Sequence, residues 1–441
     1  MDRRTYFVTG VSLMLVKYAL DATAVWLITR QFWSPLEYLV PSLNLREPKG
    51  KLFPGWLIVA MVAWSLPFLW IGATMTLRRA LDAGRSPWLV MLFFVPVVNY
   101  AVMLWLSVLP SRPTALGPRP EGLHPASLRV AGAAIVVVGA LGVALAAFCA
   151  LVLQGYGASL FLGTPFVMGM LSAFFLNRRV PTTTGATLRV AALTVALGGL
   201  ALLLFALEGV LCIAMALPIA IPAAMLGAVL GRAVALRAPG TALHAVVVVL
   251  ALPAVAALET ASPPPPLREV VSVVEVNAPP AAVWRRVVAF SAIPERPAWF
   301  FRAGITHPTR AMIDGEGAGA LRRCEFSTGV FVEPITVWDA PRRLTFDVTA
   351  QPDAMRELSP YRSIRPPHLD GAFRAQRGEF RLMGLPGGRT RLEGSTWYTL
   401  DLAPGIYWQW WADALVHAIH DRVLVHVKRL SEADYSGSPR R

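Results

Sequence analysis

The chain has 441 residues, of which 55% are apolar and only 15% are charged, and its formal net charge is +14. An average soluble domain carries roughly 25% charged residues, so the composition argues against a wholly soluble protein. The basic residues flank long apolar stretches instead of forming one face, which is typical of membrane proteins and argues against a nucleic-acid-binding surface.

The first 260 residues contain a series of apolar stretches. A helix needs about 20 mostly apolar residues to cross a bilayer. Eight stretches meet or approach this length: 6–28, 55–76, 87–109, 130–153, 158–176, 190–207, 209–231 and 242–258. The sequence therefore predicts a multi-pass α-helical membrane region, divided into residues 1–113 with about three spans and residues 114–260 with about five.

Basic residues occupy every second connection in the later part of this region. The connections around 178–189 and 232–237 contain arginines, whereas residues 154–158 and 207–209 contain no Lys or Arg. Because basic connections stay in the cytoplasm, eight spans would place the C-terminal domain outside it. Arginines near the N-terminus and before the third span favour the opposite side. The preference for Arg over Lys suggests a bacterial protein, and we expect the inner membrane.

A short basic motif precedes the third predicted span. The segment Arg78–Trp88, together with Arg3–Tyr6, resembles the signature of the YhaH-like family of small bacterial inner-membrane proteins, a domain of unknown function. The resemblance covers about residues 1–113. Leu81 stands where the family usually has a histidine, and the connection 30–54 is long. The resemblance implies a membrane domain and brings no known chemistry.

The run Pro263–Pro266 ends the apolar region and lies in a predicted linker, 261–268. The residues after it alternate in short runs separated by Gly and Pro turns, which predicts an α+β domain over 269–432. Its predicted elements are a strand at 269–276, a helix at 281–290, strands near 304–312, 319–326, 330–338, 343–350, 372–383 and 389–401, and a final helix from 404 to about 432. Residues 433–441 are predicted to be a disordered tail.

Four features of this domain resemble one superfamily. They are the segment Val274–Trp284, a Gly-x-Gly turn before a strand, the segment Val337–Leu344 and the closing amphipathic helix. Their order is similar to that of the polyketide cyclase/dehydrase branch of the START-like (SRPBCC) superfamily. The resemblance implies a helix-grip fold, in which a curved antiparallel sheet wraps a long helix around an apolar cavity. Members bind lipids, hormones or polyketides, and some are enzymes.

Apolar residues on the last helix recur at helical spacing and predict one buried face. This face could be ordinary core. The resemblance raises the expectation that part of it lines an apolar ligand pocket. The candidate ligand-binding residues are Trp299, Phe331, Phe346, Phe380, Tyr398, Trp408, Trp411, Leu415 and His426.

The histidines of the last helix are the candidates for chemistry. His417, His420 and Asp421 have metal-like spacing, but His417 and Asp421 point away from the apolar face and His420 lies at its flank. These positions favour a solvated helix face over a metal site. His426 falls within the apolar face, where a core or capping histidine and a pocket acid–base group are both consistent with the sequence. The three cysteines lack a zinc spacing. The sequence therefore predicts no metal and no cofactor, and it favours a binding protein over an enzyme.

A polar, Pro-rich insert at 351–371 separates two predicted strands and could be a lid or a surface excursion. Together these features predict a membrane-anchored protein whose soluble domain binds a hydrophobic small molecule or lipid near the bilayer. The alternatives are a membrane-tethered cyclase or hydrolase, and a transporter or sensor that the soluble domain regulates.

Overall fold

The apolar stretches form helices in the computed structural model, which describes residues 1–35, 38, 55–94, 98–111, 125–237, 242–261, 263–360 and 364–436. The helices before the linker are α1 (Arg3–Thr29), α2 (Gly55–Asp82), α3 (Val98–Val108), α4 (Pro125–Ala147), α5 (Thr164–Arg179), α6 (Thr184–Leu204), α7 (Val210–Arg237) and α8 (Ala242–Glu259). One π-helical turn, Phe148–Val152, extends α4, and another, Ser159–Gly163, leads into α5.

Within the described residues, five helices are long and apolar enough to cross a membrane. They are Arg3–Thr29, Arg129–Val152, Ser159–Arg179, Thr184–Leu204 and Val210–Arg237. Their length and composition confirm the prediction of a multi-pass membrane region. The range 87–109, for which one span was predicted, contains a 3-10 helix, Pro87–Phe94, and helix α3 on either side of residues that lie outside the described part of the chain.

Two buried charges on the described helices, Asp21 and Arg79, are paired. Asp21 is fully buried and accepts hydrogen bonds from Lys17 and from Trp64 Nε1, the latter at 2.7 Å. Arg79 is also fully buried, and it donates to the Leu106 carbonyl at 3.0 Å and to Asp82 at 2.6 Å. Pairing of this kind is what a charge in an apolar surrounding requires. Both arrangements agree with a structural interpretation of these residues.

The chain forms two structural units. The first comprises Met1–Phe148, Ser159–Ala201 and Ala216–Ala257. The second comprises Cys149–Ala158, Leu202–Met215 and Leu258–Arg441. The second unit thus contains the segment that was predicted as a soluble domain together with two connections of the helical region.

One antiparallel sheet of seven strands dominates the second unit, in the order β1-β7-β6-β5-β4-β3-β2. The strands are β1 (Arg268–Val276), β2 (Pro308–Asp314), β3 (Leu321–Phe326), β4 (Gly329–Asp339), β5 (Arg343–Asp347), β6 (Phe373–Leu385) and β7 (Arg389–Leu400). Helices α9 (Pro280–Val288), α10 (Trp299–Arg302) and α11 (Gly405–Ser436) accompany it. A long C-terminal helix against a curled antiparallel sheet confirms the predicted α+β helix-grip fold.

The core of this unit lies between the sheet and parts of α9 and α11. Val283 and Val287 of α9 and Leu424 and Val427 of α11 are almost completely buried there. Side chains alternate between the two faces of each strand, so every second residue points inward. Helix α11 runs four residues beyond its predicted end, and Arg286 of α9 pairs with Asp434 in that extension at 2.6 Å.

Candidate functional site

A charged pair lies inside the apolar core of the sheet. Arg322 on β3 stands opposite Glu333 on β4, and their side chains are only 2% and 7% exposed. The two side chains form a buried ion pair, and Arg322 Nε also donates to the Val288 carbonyl at 3.3 Å. Removing two charges from water is unfavourable, so their partners must compensate for the lost hydration. These two residues are the polar centre of the candidate site.

Three phenyl rings surround the guanidinium group of Arg322. Its central carbon lies 5.9 Å from the ring centroid of Phe290, 5.2 Å from that of Phe346 and 5.7 Å from that of Phe380. Such distances allow cation–π attraction, which is strongest where water is excluded. Gly378, opposite Phe346 on β6, makes this arrangement possible because a Cβ atom there would lie 2.4 Å from the ring. The rings and the ion pair form an apolar wall with one polar centre.

The thiol of Cys324 belongs to the same inner face. Cys324 pairs with Phe331 across β3 and β4 and is buried. Burial, reinforced by the charge of Glu333, raises the pKa of Cys324 to about 12. Burial likewise raises the pKa of Glu333, although Arg322 opposes this shift. Cys324 therefore stays a neutral thiol near neutral pH and is a poor nucleophile.

Polar residues join the first half of α11 to β1 and β7. Asp413 accepts two hydrogen bonds from Arg268 Nε, at 2.9 and 3.0 Å, and one from the Tyr398 hydroxyl at 2.6 Å. Burial raises the pKa of Tyr398, and Asp413 adds to that shift. Tyr398 is fully buried and stacks on Phe373, with ring centroids 5.0 Å apart. These hydrogen bonds hold the first half of α11 against β1 and β7, so we interpret them as structural.

Two histidines of α11 continue these contacts. His420 Nε2 lies 2.8 Å from Thr396 Oγ1, and its Nδ1 lies 3.1 Å from Ser272 Oγ. Ser272 Oγ also lies 2.7 Å from His417 Nδ1. His420, which the sequence places at the flank of the apolar face, is half-buried, and burial lowers its pKa to about 4. The helical positions were correct, but β1 and β7 supply polar partners to the flank that the pattern assigned to solvent.

His426 is buried beside Phe290, one of the three rings around Arg322. Its Nε2 lies 3.2 Å from the Ser291 carbonyl, and its ring centroid lies 5.8 Å from that of Phe290. The carbonyl can only accept, so we assign the proton to Nε2. Burial lowers the pKa of His426. These contacts are those of a core histidine, which was one of the two interpretations of the sequence.

The structure groups some of the predicted ligand-binding residues and separates others. Phe331, Phe346 and Phe380 belong to the core around Arg322. Trp408 is buried on the first half of α11, whereas the remaining candidates on that half, Trp411 and Leu415, are only half-buried. Trp299 is 73% exposed and lies outside the core. Ligand contact by any of these residues stays a prediction.

Sequence reasoning missed Arg322 and Glu333. The signal was present in β3, where Arg322, Cys324 and Phe326 occupy alternate positions and so share a face. A charged residue that shares a strand face with two apolar residues is expected to be buried. A buried charge needs a partner, which a neighbouring strand can supply.

A family model matches the N-terminal part of the chain. Residues 1–116 match the family described as "Protein of unknown function (DUF805)". This match supports the membrane region, and it does not test the narrower YhaH-like resemblance. No curated protein matches the chain.

Solved structures resemble the C-terminal part of the chain at low identity. One is a protein from Bacillus thuringiensis with 14% identity and a TM-score of 0.25, for which the match covers 37% of this chain and 97% of that chain. Another is the Zhui aromatase/cyclase from Streptomyces sp. R1128, with 15% identity, a TM-score of 0.24 and coverages of 39% and 94%. A third is a norcoclaurine synthase mutant from Thalictrum flavum in complex with a transition-state analogue, with 11% identity, a TM-score of 0.25 and coverages of 39% and 99%.

Proposed function

We propose that this protein is a membrane-anchored binding protein whose helix-grip unit binds a hydrophobic small molecule or lipid close to the bilayer. The observation that carries the proposal is the Arg322–Glu333 pair enclosed by Phe290, Phe346 and Phe380. Small-molecule sites are mostly apolar and contain a few polar groups that fix the ligand's orientation. The inner face of this sheet has that composition.

The charges of the pair indicate which ligand would suit it. Arg322 and Glu333 carry opposite charges, so the site as a whole is neutral. A fully ionised ligand buried here would lack a net counter-charge, which makes its desolvation unfavourable. We therefore favour a largely apolar ligand with a carbonyl or hydroxyl group, which can accept from the guanidinium or donate to the carboxylate.

The state of the Cys324 thiol favours binding over turnover. Burial raises the pKa of the Cys324 thiol to about 12, so this residue is not poised as a nucleophile near neutral pH. The cyclase or hydrolase alternative has no support from this thiol.

The membrane helices give the binding unit access to its ligand. The second unit contains Cys149–Ala158 and Leu202–Met215, which are connections and ends of candidate spans. A site tethered this way meets membrane-dissolved molecules at a high effective concentration. The tether thus serves a ligand that partitions into lipid.

We also propose that the second unit lies outside the cytoplasm of a bacterial inner membrane. The unit includes residues 154–158 and 207–209, which lack Lys and Arg, while Arg178, Arg179 and Arg189 belong to the other unit. Basic connections stay in the cytoplasm whatever the number of spans before α4, so the connections without Lys or Arg lie on the other side. Alkaline phosphatase fused after Ser436 should be active and a fusion after Thr182 inactive. The reverse pattern would place the unit in the cytoplasm.

Native mass spectrometry of the full-length protein in lipid nanodiscs tests ligand binding. We expect a mass increase that corresponds to a bound hydrophobic compound and that disappears when the protein is unfolded. Full-length protein is required because the second unit includes segments on both sides of the linker. Protein that stays ligand-free after incubation with bacterial lipid extract would refute the proposed function.

A further inference from the structure

Three side chains that carry metal-binding atoms lie close together in the second unit. Glu208 lies in the connection between α6 and α7, Cys212 lies in the first turn of α7, and His368 lies in the 351–371 insert. A carboxylate oxygen, the sulfur and an imidazole nitrogen lie within 4.8 Å of one another. Carboxylate, thiolate and imidazole are the three ligand types that zinc takes in proteins.

Three polar atoms of this cluster are buried without hydrogen bonds. Both ring nitrogens of His368 and the Oε2 atom of Glu208 make none. The side chains of these two residues are only 9% and 11% exposed. Nδ1 of His368 lies 3.2 Å from that Oε2 atom, but the pair lacks the alignment of a hydrogen bond. Buried polar atoms are almost always satisfied, so atoms left unpaired and facing each other indicate a missing partner.

The missing partner should be a cation. Glu208 and Glu357 are two buried carboxylates, and His368 Nε2 lies 3.7 Å from Glu357 Oε1. Across the described ranges of the chain, no Lys or Arg lies within 4.0 Å of either carboxylate. A divalent ion would supply the positive charge that these groups lack.

Neighbouring residues hold the cluster in place. The Tyr156 hydroxyl donates to Glu208 Oε1 at 2.9 Å, which leaves Oε2 directed at His368. Glu357 accepts from the amides of Leu211 and Cys212, at 3.1 and 3.2 Å, and so caps the start of α7. Gly209 permits that approach, since a Cβ atom there would lie 2.0 Å from a Glu357 oxygen. Orientation of ligands by such surrounding groups is a regular feature of metal sites.

We propose that Glu208, Cys212 and His368 bind one zinc ion. Glu208 Oε2, Cys212 Sγ and His368 Nδ1 are the ligands, and the thiol proton passes to solvent when the ion binds. His368 Nε2 then donates to Glu357, as ligating histidines commonly do to a carboxylate. Tetrahedral zinc holds its ligand atoms roughly 3–4 Å apart, so side-chain shifts of about 1 Å suffice.

The site would join segments that are distant in the sequence. Glu208 and Cys212 belong to Leu202–Met215, and His368 belongs to the insert for which a lid was one interpretation. The insert also contacts the rest of the second unit, because the backbone amide of Arg356 donates to the Gly304 carbonyl at 2.8 Å. A metal ion at this place would fix the insert to the start of α7. This inference is independent of the proposed ligand-binding function.

Cobalt(II) tests the site directly, because a thiolate ligand gives Co²⁺ a strong charge-transfer absorption. Full-length protein in detergent is treated with a chelator, dialysed and titrated with Co²⁺ and then with Zn²⁺. We expect one Co²⁺ per chain, an intense thiolate band, and displacement of that band by Zn²⁺. A titration without this band, or with a stoichiometry near zero, would overturn the proposal.

Variants assign the ligands. Cys212→Ser should abolish the charge-transfer band, and Cys149→Ser, a change at another free cysteine, should leave it unchanged. Glu357→Gln keeps all three ligands and should weaken Zn²⁺ binding by about 10- to 100-fold. Retention of the band in Cys212→Ser, or equal Zn²⁺ affinity in His368→Gln and the wild type, would show that the metal binds elsewhere.

Discussion

Replacing Arg322 by methionine should lower the free energy of unfolding by about 3–5 kcal/mol. The change leaves the Glu333 carboxylate, which is 7% exposed, without its ion-pair partner inside a cage of phenyl rings. It also removes the attraction between the guanidinium and the rings of Phe290, Phe346 and Phe380. Denaturant unfolding of the full-length protein in detergent, followed by tryptophan fluorescence, measures the loss.

A double variant separates the role of the pair in stability from its role in binding. Arg322→Met with Glu333→Leu removes both charges, and apolar replacement of a buried pair is often neutral or stabilising. Stability should therefore return to near the wild-type value. The matched control is Arg323→Met, which removes an exposed arginine on the same strand and should change stability by less than about 0.5 kcal/mol. Equal effects at both positions would show that the Arg322 pair is not a buried interaction.

Acidification should destabilise the wild-type protein more than it destabilises His420→Gln. Burial lowers the pKa of His420 from 6.5 to about 4, with a smaller effect from His417. The folded state therefore holds this side chain neutral, whereas the unfolded chain protonates it below about pH 6.5. The folded state binds fewer protons, so stability is complete above pH 6.5 and is lost progressively between pH 6.5 and pH 4.

The size of this effect follows from the shift. Each pKa unit corresponds to about 1.4 kcal/mol, so the loss attributable to His420 approaches about 3 kcal/mol at pH 4. For a unit of this size that is roughly 6–12 °C in melting temperature. Glutamine can still hydrogen-bond to Thr396 and Ser272 but cannot titrate.

His417→Gln is the control for this comparison. It alters a neighbouring residue that shares Ser272 as a partner but is exposed. The melting temperature at pH 7 minus that at pH 4 should be smaller in His420→Gln than in the wild type, and nearly unchanged in His417→Gln. Identical differences in all three proteins would contradict the half-buried, neutral state of His420.

The apolar spacing of α11 predicts some of its buried residues but not its polar contacts with the sheet. The apolar spacing correctly predicted that Trp408, Ala412 and Val423 are buried. It did not predict that Asp413 and His420 contact the sheet. Their partners Arg268, Ser272, Thr396 and Tyr398 lie on strands at opposite ends of the domain sequence. A hydrophobic pattern reports how apolar a helix face is, but only the sheet topology reveals that β1 and β7 offer it polar partners.

The Glu208 cluster shows a different limit. Glu208 and Cys212 are close in sequence, but His368 comes from an insert beyond the fifth strand. No regular ligand spacing connects them, so motif analysis predicted no metal site. They converge because the second unit combines a connection of the helical region with the insert. The architecture of helices followed by an α+β domain could be predicted from composition, whereas such convergence required the three-dimensional structure.

The most direct test of the account is to identify the compound that the protein retains. Full-length wild-type protein and the Arg322→Met/Glu333→Leu variant are purified in parallel, extracted with organic solvent and compared by mass spectrometry. We expect one apolar compound with a carbonyl or hydroxyl group, enriched in the wild type and depleted in the variant. Equal amounts of every extracted compound in the two proteins would contradict a ligand site at the buried pair.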